Sequence, residues 1–235
     1  MINNNWIEDN LKQIEENICA ACQKAGRSRE EVTLIAVSKT KPIEMLQDVY
    51  ALGVRDFGEN KVQEMCDKME VMPADMNWHM IGHLQTNKVK YIVGKTKLIH
   101  SVDSFKLAEE IQRQAVKKEV MVPILVEVNI AEEESKFGIT KEAAMDLVRR
   151  IAMLDHLQIK GLMTIAPYVK DAEENRLYFK EIRQLSVDIN NQNIDNVCMD
   201  ILSMGMTGDY QVAIEEGATL VRVGTGLFGA RNYNI

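Results

Sequence analysis

The chain of 235 residues carries 28 Lys and Arg against 35 Asp and Glu, a formal net charge of -7, with 46% hydrophobic and 27% charged residues. That balance describes a globular protein with an ample core and argues against a general affinity for nucleic acid or anionic membrane. The N-terminal residues lack the basic start and apolar core of a signal peptide, and no apolar run reaches the length of a membrane span, so a cytoplasmic protein is expected.

Residues 6–25 read as an amphipathic helix with Gly26 just past its end. The helix holds Cys19 and Cys22 at C-x-x-C spacing. Cys22 falls on the apolar stripe of Leu11, Ile14 and Ile18, and Cys66 and Cys198 stand alone, so the pair reads as small core side chains rather than a redox or zinc pair. His79 and His83 are four apart, but Gly82 and the aromatic context place them at a strand end, and no metal site is expected.

The run 32–37 is β-branched and aliphatic, the pattern of a strand buried on both faces. It ends at Ser38-Lys39, and Pro42 opens a helical pattern that continues to Gly53. Strand 56–60 and helix 62–69 follow, then strand 78–83, a helix near 87–93 and strand 98–102. Asp103 or Ser104 can cap the next helix, which runs to about Lys117. Strand 123–129 precedes a helix capped by Thr140, and strand 159–165 precedes a long helix with Asp171 and Glu174 as its capping box. Strand 197–203, helix 207–216 and strand 220–223 complete the pattern. Eight strands alternating with helices, after one extra N-terminal helix, predict a single-domain (β/α)8 TIM-type barrel over residues 1–235.

In such a barrel the strand C-termini share one mouth, where ligands bind. Lys39, Asn60, His83, Ser203 and Gly224-Thr225 all fall there. Phosphate sites in this fold form after strands seven and eight, here at Ser203-Met204-Gly205 and Gly224-Thr225-Gly226. Arg222 interrupts an apolar strand; it snorkels to the barrel rim, pairs with a core carboxylate such as Asp200 or Glu127, or points at a ligand. An amine, a phosphate cradle and an arginine together point to pyridoxal 5′-phosphate.

Several motifs carry a resemblance that spans nearly the whole chain. They are Ala36-Val37-Ser38-Lys39-Thr40, Phe57-Gly58-Glu59-Asn60, Trp78-His79-Met80-Ile81-Gly82-His83, Ser135-Lys136-Phe137-Gly138, Gly161-Leu162-Met163-Thr164, Ser203-Met204-Gly205-Met206 and Val221-Arg222-Val223-Gly224-Thr225. The chain resembles the YggS/PROSC family of pyridoxal-phosphate-binding homeostasis proteins, which share the barrel of fold-type III enzymes such as alanine racemase. The resemblance implies that Lys39 forms a Schiff base with the cofactor and that Arg222 faces the pyridine nitrogen. It implies further that Ser203, Gly224 and Thr225 hold the phosphate, with Met204 beside them, while Asn60, Met80, His83 and Met163 line the ring.

The racemase relatives use a second acid/base from an added β-domain, and the chain ends soon after strand eight without room for one. The expectation is therefore a non-catalytic, monomeric carrier that holds pyridoxal phosphate reversibly, with apo forms of dependent enzymes as recipients. The competing reading is a single-domain enzyme, a weak racemase using His83 or Tyr210 as second base. Lys41 and Lys136 would influence release through charge near the mouth.

Overall fold

The computed structural model describes residues 5–133 and 135–230. Helix α1 (Asn5–Lys24) leads into β1 (Thr33–Val37), α2 (Ile43–Ala51), β2 (Asp56–Glu59), α3 (Val62–Met69), β3 (Asn77–Met80), α4 (Val89–Ile92) and β4 (Leu98–Val102). The second half continues with α5 (Phe105–Lys118), β5 (Val122–Glu127), α6 (Lys141–Ala152), β6 (Leu157–Met163), α7 (Arg176–Asn190), β7 (Val197–Met206), α8 (Tyr210–Glu215), β8 (Leu220–Val223) and α9 (Thr225–Phe228). Each strand pairs in parallel with the next. β8 returns to β1 from Thr33↔Leu220 to Ala36↔Val223 and closes the barrel. Among the described residues no helix is long and apolar enough to cross a membrane.

The stripe of α1 behaves as its spacing predicts: Ile7, Leu11, Ile14, Ile18 and Cys22 are buried, and the helix packs on α8 and α9. Cys19 is exposed while Cys22 is core. Ser104 caps α5, its Oγ accepting from the Leu107 N–H at 3.4 Å. The Asp171–Glu174 capping box closes a 3-10 turn, Ala172–Asn175, that precedes α7 instead of starting the long helix itself. Strand β7 runs three residues further than its apolar pattern, to Met206, so the following helix begins at Tyr210 instead of Thr207.

Strand alternation sorts the side chains into two layers. Ile35, Leu98, Leu125, Met163 and Leu220 form one cluster inside the barrel, each from a different strand. Their neighbours of opposite parity, including Ala36, Phe57, Trp78, Met80, Ile99 and Met204, join the larger cluster between sheet and helices. Irregular pairing perturbs the second half of the sheet, with register shifts in β4–β5, β5–β6, β6–β7 and β7–β8.

Gly161 sits at two of these shifts, with φ at +152°. A Cβ there would lie 1.8 Å from the main-chain oxygen of Ile201, and no side-chain rotation relieves a clash with backbone. Gly161→Ala is expected to cost about 4 kcal/mol or more, or to prevent folding. Urea unfolding of the variant checks this, and a midpoint equal to wild type would refute it.

Candidate functional site

A cavity of about 600 Å³ opens at the C-terminal mouth of the barrel. Five residues expected there line it together: Lys39, Asn60, Arg222, Gly224 and Thr225. Parity explains the first two. Val37 continues the inward series of Ile35, so Ser38 turns outward and Lys39 inward, while Asn60 follows the outward Glu59.

The turn that presents Lys39 is clamped from behind by a buried charge network. Ser38 Oγ donates to Glu59 Oε1 at 2.7 Å, and Lys68 Nζ, from α3, donates to the same oxygen at 2.7 Å and to the Ser38 carbonyl at 2.8 Å. Lys68 also donates to Glu64 Oε1 at 2.7 Å, and that oxygen accepts from the Thr40 N–H at 2.5 Å. Thr40 holds a left-handed φ of 62°, a conformation that a β-branched residue adopts only when its surroundings impose it. Glu59 is fully buried, and burial raises its carboxyl pKa against the opposing pull of Lys68. On the other side of the turn, Lys41 Nζ donates to the carbonyls of Phe228 and Gly229, both at 2.9 Å, at the end of α9. Both ends of the Lys39 turn are thus tied to neighbouring elements.

Arg222 reaches up from inside β8, 4% exposed. Its Nη1 donates to Ser203 Oγ at 2.6 Å and its Nη2 to the Thr164 carbonyl at 2.8 Å. Burial lowers its pKa to about 10, and the carboxylates of Asp209 and Glu127 draw it back up. It remains a cation at neutral pH. Of the two carboxylates expected as partners, Asp200 is exposed and lines the opposite end of the barrel, while Glu127 acts on Arg222 through its charge.

Burial first, and then the Asp103 charge, push the Glu127 carboxyl up to about 7, with Arg222 opposing. A carboxyl whose pKa is higher folded than unfolded binds more protons in the folded state, so its contribution falls as pH rises from the ordinary value to about 7. Thermal melts across that window are expected to show this slope in the wild type and a shallower one in Glu127→Gln. Identical slopes would contradict it.

The longer β7 changes the phosphate side of the mouth. Ser203 and Met204 lie within the strand, Ser203 fully buried beneath the cavity and Met204 facing the helices. The hydroxyl that reaches the cavity after strand seven is Thr207. Its Oγ1 accepts from the Gly226 N–H at 3.2 Å and lies 3.3 Å from Thr225 Oγ1, bringing the two mouth loops together. A Cβ at Gly226 would come within 3.0 Å of Thr207 Cγ2. Met80, of outward parity, is buried against the helices, and Met163 lies in the interior cluster one inward position below Ile165. His83, three residues past β3, stacks on Phe137 at 3.9 Å between ring centroids. Neither methionine nor His83 reaches the cavity wall.

Asn175 and Asp209 also line the cavity, and no strand-end pattern marks them. Asn175 Nδ2 donates to Asp209 Oδ2 at 2.8 Å and to the Pro167 carbonyl at 2.9 Å. Asp209 Oδ1 accepts from the Met206 N–H at 2.7 Å, which sets the turn that carries Thr207. The side-chain oxygens of Asn60 and Asn175 are buried with no hydrogen-bond partner in the protein. Lys136 Nζ donates to Glu133 Oε1 at 2.6 Å and to the Ala166 carbonyl at 3.0 Å, joining the loops after β5 and β6.

Residues 10–232 match the family model of the alanine racemase N-terminal domain. The chain is 45% identical over 226 residues to the pyridoxal phosphate homeostasis protein of Aquifex aeolicus, covering 96% of this chain and 98% of that one. A crystal structure from Bifidobacterium adolescentis, described only as an unknown protein, superposes with a TM-score of 0.91 at 36% identity, over 97% of this chain and 98% of the other. The structure of PipY from Synechococcus elongatus with PLP bound gives a TM-score of 0.79 at 35% identity, over 92% of this chain and 100% of that one.

Proposed function

The chain belongs to the pyridoxal phosphate homeostasis proteins, and from that membership and the geometry of the mouth we propose that it binds pyridoxal 5′-phosphate at Lys39. On this reading it holds the cofactor reversibly for delivery to other proteins and does no chemistry on amino acids.

The observation that carries the proposal is one cavity lined by Lys39 and the buried Arg222 together with Asn60 and Asn175, whose buried side-chain oxygens have no partner in the protein. The residues present fit the group. When bound, the cofactor supplies an aldehyde that condenses reversibly with a primary amine. Lys39 offers that amine from a turn held on both sides. Arg222 has donors only, so it would hydrogen-bond a ring nitrogen without protonating it, and an unprotonated ring is a weak electron sink. Thr207 and Thr225 offer hydroxyl donors to a phosphate.

The positions of the two candidate second bases support a carrier. Tyr210 is buried on α8 and its hydroxyl accepts from Asn17 Nδ2 of α1 at 2.9 Å, on the outer side of the barrel. His83 sits on the rim against Phe137, with Nδ1 3.7 Å from Asp103. Neither faces Lys39 across the cavity.

The test is an absorption spectrum of the protein with added pyridoxal phosphate, before and after borohydride, followed by peptide mass mapping. A visible band that borohydride abolishes, with a pyridoxyl mass on Lys39, is expected. A colourless, unmodified protein would remove the reading. Incubation with single L-amino acids is expected to yield no D-isomer; sustained turnover lost in Lys39→Ala would establish an enzyme instead.

A further inference from the structure

The barrel interior carries a hydrogen-bonded relay that runs from the mouth to the opposite end. Arg222 Nη1 donates to Ser203 Oγ at 2.6 Å, and Ser203 Oγ lies 2.9 Å from His100 Nδ1. His100 Nε2 lies 3.0 Å from His79 Nδ1, and His79 Nε2 lies 2.9 Å from Asp56 Oδ1. Lys97 Nζ donates to the same Asp56 oxygen at 3.0 Å. Ser203, His100, His79 and Arg222 are all buried. Arg222 lines the mouth cavity, whereas Asp56 and His79 line a second cavity of about 630 Å³ framed by the first residues of β1, β2, β4 and β8.

One arrangement of hydrogens satisfies this relay. Arg222 can only donate, and an ionised carboxylate can only accept. Burial raises the pKa of Asp56, but the bonds from His79 and Lys97 outweigh it and hold the group below its ordinary value. Burial keeps both histidines neutral, lowering His79 despite Asp56 and His100 further still. His79 then carries its hydrogen on Nε2 and presents a bare Nδ1. His100 must do the same. Ser203 therefore donates to His100 and turns a lone pair toward Arg222. Reversing His79 would set its bare Nε2 against the Asp56 carboxylate, and reversing His100 alone would set its bare Nε2 against the bare Nδ1 of His79, in each case two acceptors facing each other in a buried site.

We propose that Asp56, His79 and His100 are positioning residues that set the direction of the Ser203 hydroxyl from the far end of the barrel and so hold Arg222 in one orientation at the mouth. The Thr164 carbonyl fixes the second arm of the guanidinium, leaving its remaining donors for an acceptor on the ligand. The link to a ligand rests on the reading of the mouth as a pyridoxal phosphate site. The relay itself is a property of the cofactor-free chain.

The experiment has two arms. In the cofactor-free protein, 15N NMR of the imidazoles is expected to show His79 and His100 both neutral with hydrogen on Nε2, and slowed exchange of the Arg222 Nη–H groups. Either ring protonated on Nδ1 at neutral pH would overturn the proposal. So would Arg222 exchange unchanged in Asp56→Ala, which cuts the relay near the surface and serves if a core variant fails to fold. In the second arm, His100→Leu is expected to weaken pyridoxal phosphate binding about tenfold and to shift its visible band. His100→Gln, whose amide supplies a donor and an acceptor in the same sense, is expected to bind within about twofold of wild type. Both variants binding like wild type would overturn the proposal. A wild-type chain that binds no pyridoxal phosphate would remove the functional reading, and the NMR arm would still decide the relay.

Discussion

Lys39→Ala is expected to give a folded barrel that no longer develops a visible band with pyridoxal phosphate and takes up no pyridoxyl mass at residue 39. The backbone of the turn is held through Ser38 and Thr40, whose partners Glu59, Lys68 and Glu64 the substitution leaves in place. What the variant loses is the amine at the cavity wall, and with it the covalent part of binding. The contacts proposed for Arg222 and the α9 mouth remain, so weak non-covalent binding at least about a hundredfold poorer than wild type is expected. Lys39→Arg is not expected to rescue attachment, because a guanidinium stays protonated at neutral pH and is a poor nucleophile. Equilibrium dialysis and borohydride mapping measure the two parts separately. Undiminished covalent loading in Lys39→Ala, with the label on another lysine, would show that the anchor lies elsewhere.

Lys68→Met is expected to be strongly destabilising while leaving the cavity wall intact. Lys68 is 5% exposed and serves Glu59, Glu64 and the Ser38 carbonyl at once. Without it a fully buried carboxylate keeps only the Ser38 hydroxyl, and its Oε2 already lacks a partner. Breaking a buried pair in this way costs about 3–5 kcal/mol, which corresponds to a melting temperature lower by about 10 °C in a chain of this size. The deficit has a pH signature. Burial already raises the Glu59 pKa, and losing the cation raises it further, so the folded variant gains protons as pH falls and its deficit narrows toward acid pH. Replacing both partners, Lys68→Met with Glu59→Leu, is expected to recover much of the loss, since no unpaired charge remains. Calorimetry of the single and double variants measures both effects. A single variant as stable as wild type would mean that the network contributes no stability. Because Glu64 also accepts from the strained Thr40 N–H, slower loading of Lys39 is expected to accompany the lost stability.

The sequence by itself determined the alternation of strands and helices, and with it the barrel and the mouth at which the strands end. It also placed Lys39, Asn60, Arg222, Gly224 and Thr225 on that mouth, because each lies at or near the C-terminal end of a strand that the alternation with helices locates. Parity was legible too. Met80 shares its parity with Trp78, which puts it between sheet and helices.

Tertiary structure alone decided where β7 stops and which side chains meet across the interior. The pairing of β7 with β8 shifts between Ser203 and Met206, which lengthens the strand, buries Ser203 and hands the mouth hydroxyl to Thr207. His100 and Ser203 are 103 residues apart and touch because the closed sheet brings inward positions of non-adjacent strands to one axis. Local periodicity reports which face a residue takes. It carries no record of register shifts or of the stagger at which eight strands close, and those set every contact across the barrel.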